Sequence, residues 1–181
     1  MTHPTLAGQP AASSIDMTAA FRQVMRDVPA SVTIVTSRDH LGNPHGMAAS
    51  AVIPVSMEPA SILVAVNETA GLHPVLLLSG RLCVNFLAGH QQALIEPFSR
   101  TDLRHQRFAS DDWHDAERGG DALPWLPGAR ACVFADVDRR VEYGTHTLFI
   151  ARITQIRAGQ PAEDAGSPLL WMGGRFAPLA A

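Results

Sequence analysis

The stretch from residue 130 to 157 constrains the fold more than any other part of this chain. Two long runs, 130–142 (containing ACVFADVDRR) and 145–157 (containing TLFIARITQI), alternate apolar with small or polar side chains, and only a bend around YGT separates them. A period of two marks a strand with one face buried, and a short bend between two such runs makes them antiparallel neighbours. Further extended runs are SVTIVTS (31–37), HGMAASAVIPVS (45–56), SILVAV (61–66) and LCVNFL (82–87), with a last short strand in PLLWMGGRF. The turn chemistry of DHLGNP makes the first two of these a long hairpin. LCVNFL sets Leu82, Val84 and Phe86 against Cys83, Asn85 and Leu87, so each set faces its own side. Six or seven strands in hairpin connection, with few helices, predict an antiparallel barrel, because closure removes exposed strand edges.

The helices are short connectors. Asp16 is a helix cap followed by Phe21, Val24, Met25 and Val28 at helical spacing, and Pro29 ends the run. HPVLLLSG (73–80) reads as a helix stopped by Gly80, and QQALIEPFS (91–99) as another. Residues 1–14 offer little to bury and are expected to be a disordered tail, leaving 15–178 as one domain. From Asp102 to Pro127 the sequence turns polar around the cluster DDWHD, which reads as a long loop with Trp113 and His114 at its surface.

Composition removes several kinds of chemistry. The 14 basic residues are all Arg, so a Schiff-base lysine and a phosphate-binding Walker loop are both excluded. A formal charge of −3 with scattered arginines gives no footprint for nucleic acid. Cys83 and Cys132 form neither a CxxC pair nor a zinc spacing, the first 15 residues lack a basic start followed by an apolar run, and the apolar stretches are shorter than a membrane span. A reducing, cytoplasmic setting is expected. The 8 histidines occur singly, and no metal site is expected. GxGxxG, GxSxG and HExxH are absent.

Read on their own terms, the candidate residues leave alternatives open. Ser50 suits a crowded strand as well as a ligand, and Asn85 is either a satisfied core amide or a ligand contact. Arg100, Arg107 and Phe108 fit a packing rim or a binding rim. His146, at the mouth of a strand with no second ligand or triad partner beside it, fits a capped surface position.

Taken in order, however, FRQVMRDVPASVTIVTS, HGMAASAVIPVSMEPASILVAVN, GRLCVNFL, the pair FSR and RF, and GTHTLFI resemble the short-chain flavin reductases with an FMN-binding split barrel. That family includes the reductase components of two-component flavin monooxygenases, and the likeness runs from about Phe21 to Phe176. It implies a mainly β fold, a Greek-key-type antiparallel split barrel, and an NAD(P)H:flavin oxidoreductase using FMN or FAD with NADH or NADPH. It also implies a homodimer and an oxygenase partner that receives reduced flavin. An FMN enzyme with tightly held flavin on the same barrel, or a non-enzymatic flavin or haem module, are the other readings of this scaffold.

The resemblance also implies site residues. Small residues at Ala48, Ala49, Ser50 and Ala51 let the backbone approach a flat ring, with Ser50 a phosphate donor. Ala30, Ser31, Val32 and Thr33 meet the ring edge. Asn67, Glu68, Thr69 and Asn85 contact phosphate, and Phe98, Arg100, Arg107 and Phe108 complete the set. His146 positions the nicotinamide so that hydride passes to flavin. Three places depart from the family pattern. Thr145 replaces an Asp before the histidine, Ala30-Ser31-Val32 replaces the first-strand Thr/Ser-Gly-Val and adds a side chain where the ring approaches, and Glu68 puts a carboxylate where phosphate is expected, which is unfavourable.

Overall fold

The computed structural model of the protein describes residues 16–115, 119–158 and 167–177. The expected tail, 1–14, lies outside them. Helix α1 (Met17–Asp27) starts where Asp16 Oδ1 accepts the main-chain N–H of Thr18 at 3.0 Å and of Ala19 at 3.2 Å. Ten strands follow: β1 (Ala30–Ser31), β2 (Thr33–Arg38), β3 (Pro44–Ala49), β4 (Val52–Met57), β5 (Ala60–Asn67), β6 (Arg81–Phe86), β7 (Ala131–Tyr143), β8 (His146–Ala158), β9 (Leu170–Met172) and β10 (Arg175–Ala177). Helices α2 (His73–Ser79) and α3 (Glu96–Ser99) interrupt the series, and Gly80 at φ 63° closes α2 as the sequence predicts.

Seven strands form one antiparallel sheet in the order β3-β2-β6-β7-β8-β5-β4. Its two edge strands, β3 and β4, are consecutive in the chain and separated only by Ser50 and Ala51. Three residue steps span at most about 11 Å, so the sheet must roll until its edges nearly meet. The result is a barrel with one open seam, the split. The long β7–β8 hairpin turns at Gly144 (φ 59°) and carries two register shifts, at Phe134/Ala135 and Val137/Arg139. Such bulges add twist and let a long ribbon wrap.

Two expectations need correction here. HGMAASAVIPVS is not one hairpin arm: β3 pairs with β2, β4 pairs with β5, and the chain changes partner at Ser50–Ala51. The C-terminal strand is a hairpin, β9–β10, turning at Gly173–Gly174 and joined to β1 as a separate three-stranded sheet.

β2 and β6 are covered on both faces. Val35, Leu82 and Val84 point into the barrel with Val64, Val66 and Phe149, capped by Leu72, Val75 and Leu76 from α2 and its approach. Val32, Ile34 and Cys83 point outward under a second layer made by Leu87, Ile95, Phe98, Trp113, Leu123 and Leu126. The alternation in LCVNFL is therefore a division between two cores. Trp113 is only 8% exposed and its ring lies 5.3 Å from Phe98 and 4.9 Å from Phe108, which corrects its assignment to the loop surface. His114 is exposed but fixed, exchanging main-chain hydrogen bonds with Trp125.

Candidate active site

A cavity opens at the seam. Val32, Ala48, Ala49 and Ser50 form one side of it, where only small side chains stand between solvent and the β2–β3 backbone. Trp171 and Phe176 of the C-terminal hairpin form the second side, their rings 5.1 Å apart and inclined at 79°. The third side is the 3-10 turn Gly89–Ile95 running into α3, which contributes His90, Gln92, Ala93, Ile95, Glu96, Ser99 and Arg100. The enclosed volume is about 1020 Å³. Its walls are mainly apolar, with hydroxyl, amide, imidazole, carboxylate and guanidinium groups among the lining residues.

The third wall is held by the residues that follow it. Arg107 Nε donates to Pro97 O at 2.7 Å and its Nη1 to Gly46 O at 2.8 Å, tying α3 to β3. Burial pushes the Arg107 guanidinium below its ordinary value, so these carbonyls are what keep the cation comfortable there. Phe108 packs edge-to-face on both Phe98 and Trp113 beneath, and a Cβ on Gly46 would stand 2.8 Å from the Phe98 ring. Gly46 is what allows the aromatic trio to sit on β3. Phe108 takes a left-handed backbone (φ 61°) to reach it.

The residues expected at the site therefore separate into groups. Val32, Ala48, Ala49, Ser50 and Arg100 line the cavity, and Ala30 and Ala51 line a second cleft that shares Ser50 and Trp171 with it. Ser31 is exposed on β1 beside them. Thr33 is buried, its hydroxyl donating to Ala49 O at 2.7 Å, so it fixes the small-residue wall from behind. Phe98, Arg107 and Phe108 support the opposite wall without lining the cavity.

Asn85 is a core amide. Its Nδ2 donates to Ile34 O, and its Oδ1 accepts the Leu126 N–H, each at 2.9 Å, with the Cys132 thiol at 3.3 Å. It pins the chain at Leu126 onto β2 and β6. Burial pushes the neighbouring Cys83 thiol well above its usual range, so Cys83 stays protonated in the core.

Asn67, Glu68 and Thr69 close the turn after β5. Asn67 Oδ1 accepts from both the N–H and the hydroxyl of Thr69, and the Glu68 N–H donates to Thr145 O at 3.0 Å. Glu68 is exposed and away from the cavity, so its carboxylate does not oppose a phosphate there. Arg100 is clamped by Glu96 at 3.2 Å and Asp102 at 2.6 Å; its hydrogen bond with Asp102 raises its own pKa and lowers that of the carboxyl.

His146 is half-buried at the start of β8, with Nδ1 2.9 Å from the Thr145 hydroxyl. That hydroxyl stands where a carboxylate was looked for and fixes the ring by its own hydrogen bond. Asn67 pairs with His146, Ala65 with Leu148, and the Ala65 N–H donates to Ala51 O. Ser50 and His146 thus lie at the same end of the barrel, two strands and on the order of 10 Å apart. His146 does not itself line the cavity.

His90, Gln92, Ala93, Ile95, Glu96, Ser99, Trp171 and Phe176 were missed by the sequence reading. The 91–99 run carried only a helix signal, and the one hint at the other wall was an aromatic pair flanking Gly-Gly. As a receptor the cavity suits a flat, largely apolar ring system with a polar tail: small residues and two aromatics for the ring, Ser50, Ser99 and Gln92 at the edge for the tail. Among the described residues no group of three or more His, Cys, Asp or Glu could hold a metal ion.

Residues 25–180 match the family described as flavin reductase like domain. The chain belongs to that family. It is 34% identical over 162 residues to the reductase component of an FADH2-dependent resorcinol hydroxylase from Rhizobium sp. (strain MTP-10005), covering 86% of this chain and 84% of that one. It is 32% identical over 175 residues to the FMN reductase (NADH) RutF of Pseudomonas syringae pv. syringae (strain B728a), covering 96% and 94%. Among solved structures, flavin reductase PheA2 superposes with a TM-score of 0.76 at 30% identity, covering 90% of this chain and 98% of that one. The split barrel is thus the flavin reductase fold.

Proposed function

We propose that this flavin reductase oxidises NADH or NADPH, passes the hydride to FMN or FAD held in the seam cavity, and releases reduced flavin to a separate oxygenase component. The carrying observation is the cavity itself: a small-residue wall at Ala48–Ser50 facing Trp171 and Phe176 across a space of about 1020 Å³, in a chain that matches NADH-dependent FMN reductases along nearly its whole length. Flavin, when bound, supplies the hydride-accepting chemistry. The protein supplies shape and orientation. Ala48 and Ala49 admit the ring against the backbone, and Ser50 offers a hydroxyl to the phosphorylated tail. His146, oriented by Thr145, steers the nicotinamide from the neighbouring strand.

Residues 15–178 act as one domain in this reading, and two such domains pair. Phe21 and Val24 of α1 are 65% and 62% exposed, and Ile53 and Met57 on edge strand β4 are 56% and 82% exposed, which supports a covered apolar face between copies. No helix among the described residues is long and apolar enough to cross a membrane. Both cysteines are free and buried, which fits a reducing cytoplasm.

Anaerobic mixing of the protein with FMN or FAD and each nicotinamide tests the reading. Bleaching of the flavin absorbance at a rate set by protein concentration is expected; nicotinamide that stays reduced with every flavin rejects it.

A further inference from the structure

The cleft on the α1 side of the seam has no role in the reading above. It encloses about 810 Å³ and is bordered by Arg22, Gln23 and Arg26 of α1, by Ala30 and Ala51, and by Gly174. Ser50 and Trp171 belong to both hollows, so the two are continuous around the indole. No Asp or Glu lines the cleft. Among the described residues, neither the Arg22 nor the Arg26 guanidinium makes a hydrogen bond or an ion pair. Two cations left without counter-charge in a concave site attract an anion.

Their spacing narrows what that anion is. Arg22 and Arg26 are four residues apart on a helix, which places them side by side on one face, about 6 Å between Cβ atoms. Two adjacent guanidinium forks suit two linked phosphates better than one. The second of them is seated deliberately: Arg26 O accepts the Gly173 N–H at 2.8 Å, and a Cβ on Gly174 would lie within 2.7 Å of the Arg26 guanidinium carbon. Gly174, with φ 76°, leaves room for the guanidinium over the β9–β10 turn. The Gly-Gly of PLLWMGGRF thereby acquires a function.

We infer that this cleft binds the adenosine diphosphate tail of a dinucleotide whose redox-active ring occupies the seam cavity, with Arg22 and Arg26 on the diphosphate. The inference rests on the flavin reductase reading. Two dinucleotides carry this tail, FAD and the nicotinamide donor, and the experiment separates them. Dissociation constants of ADP, FMN and FAD are measured by calorimetry and fluorescence quenching for the native protein, Arg22→Gln/Arg26→Gln and Arg22→Lys/Arg26→Lys.

ADP binding by the native protein, weakened about tenfold in the Gln pair and partly regained in the Lys pair, is the expected result. If the tail is the flavin's, the FAD constant rises by more than the FMN constant, because FMN carries only one of the two phosphates. If it is the donor's, the KM for NADH rises by more than that for reduced nicotinamide mononucleotide, which keeps one phosphate and lacks the adenylate. Absence of ADP binding to the native protein, equal ADP affinity in native and Gln proteins, or equal weakening of FMN and FAD overturns the inference. ADP binding needs no turnover, so its failure is distinct from a failure to reduce flavin.

Discussion

Arg107→Ala separates two roles for one guanidinium. The resemblance to flavin reductases implies a ligand contact, whereas the structure has the side chain spanning Pro97 O and Gly46 O at 2.7 and 2.8 Å, with Nη2 3.3 Å from Arg100 O. For a half-exposed group, the two short bonds contribute about 1 kcal/mol each. Their loss lowers Tm by about 4–8 °C in a domain of this size. Because α3 carries one wall of the cavity, flavin affinity falls with it. Lysine at this position keeps the charge but cannot reach both carbonyls as a planar fork does, so Arg107→Lys regains less than half of the stability. Thermal melts followed by circular dichroism, together with FMN titrations by fluorescence quenching, check both effects. An unchanged Tm with flavin binding abolished would refute the strut and restore the ligand role.

Other outcomes follow from the same geometry. Asn85→Ala leaves the Leu126 N–H without its partner in the core, while the Ile34 carbonyl keeps its β-ladder pairing with residue 85, and destabilises by about 1–3 kcal/mol in urea melts; a loss under 1 kcal/mol counts against its pinning role. His146→Ala raises the KM for nicotinamide more than the Kd for flavin, and the opposite ranking contradicts its placement beside the donor. Asp39 is held well below the usual carboxylate range, first by the Asn43 side chain and then by other hydrogen bonds in the β2–β3 turn. A depressed carboxyl contributes stability that is complete above the unfolded value near pH 4 and is lost as pH falls through the lower folded value. Asp39→Asn therefore flattens the acid side of the stability profile; a profile that keeps its full slope argues otherwise.

Local chemistry made much of the fold legible. Asp16 caps α1, Gly80 ends α2, and the alternation of Leu82, Val84 and Phe86 against Cys83, Asn85 and Leu87 divides two cores. The partner change at Ser50–Ala51 was not legible, because the backbone stays extended on either side and no turn residue marks the corner. Only the tertiary pairing of β3 with β2 and of β4 with β5 creates it. Trp113 looked like loop surface for a related reason: its burial depends on Phe98 and Phe108 arriving from a distant helix and turn. At the site, the small residues of 48–50 could be picked out in the sequence, but Trp171 and Phe176 meet them only through the β1–β9 pairing.

Ser50 is exposed and borders both hollows, so a large side chain there obstructs the seam without burdening either core. The decisive measurement is an FMN titration of the native protein against Ser50→Trp, with thermal melts of both. Loss of flavin binding in the variant, at a Tm within about 2 °C of native, is the expected result. Equal FMN affinity in the two proteins would place the flavin somewhere other than this seam.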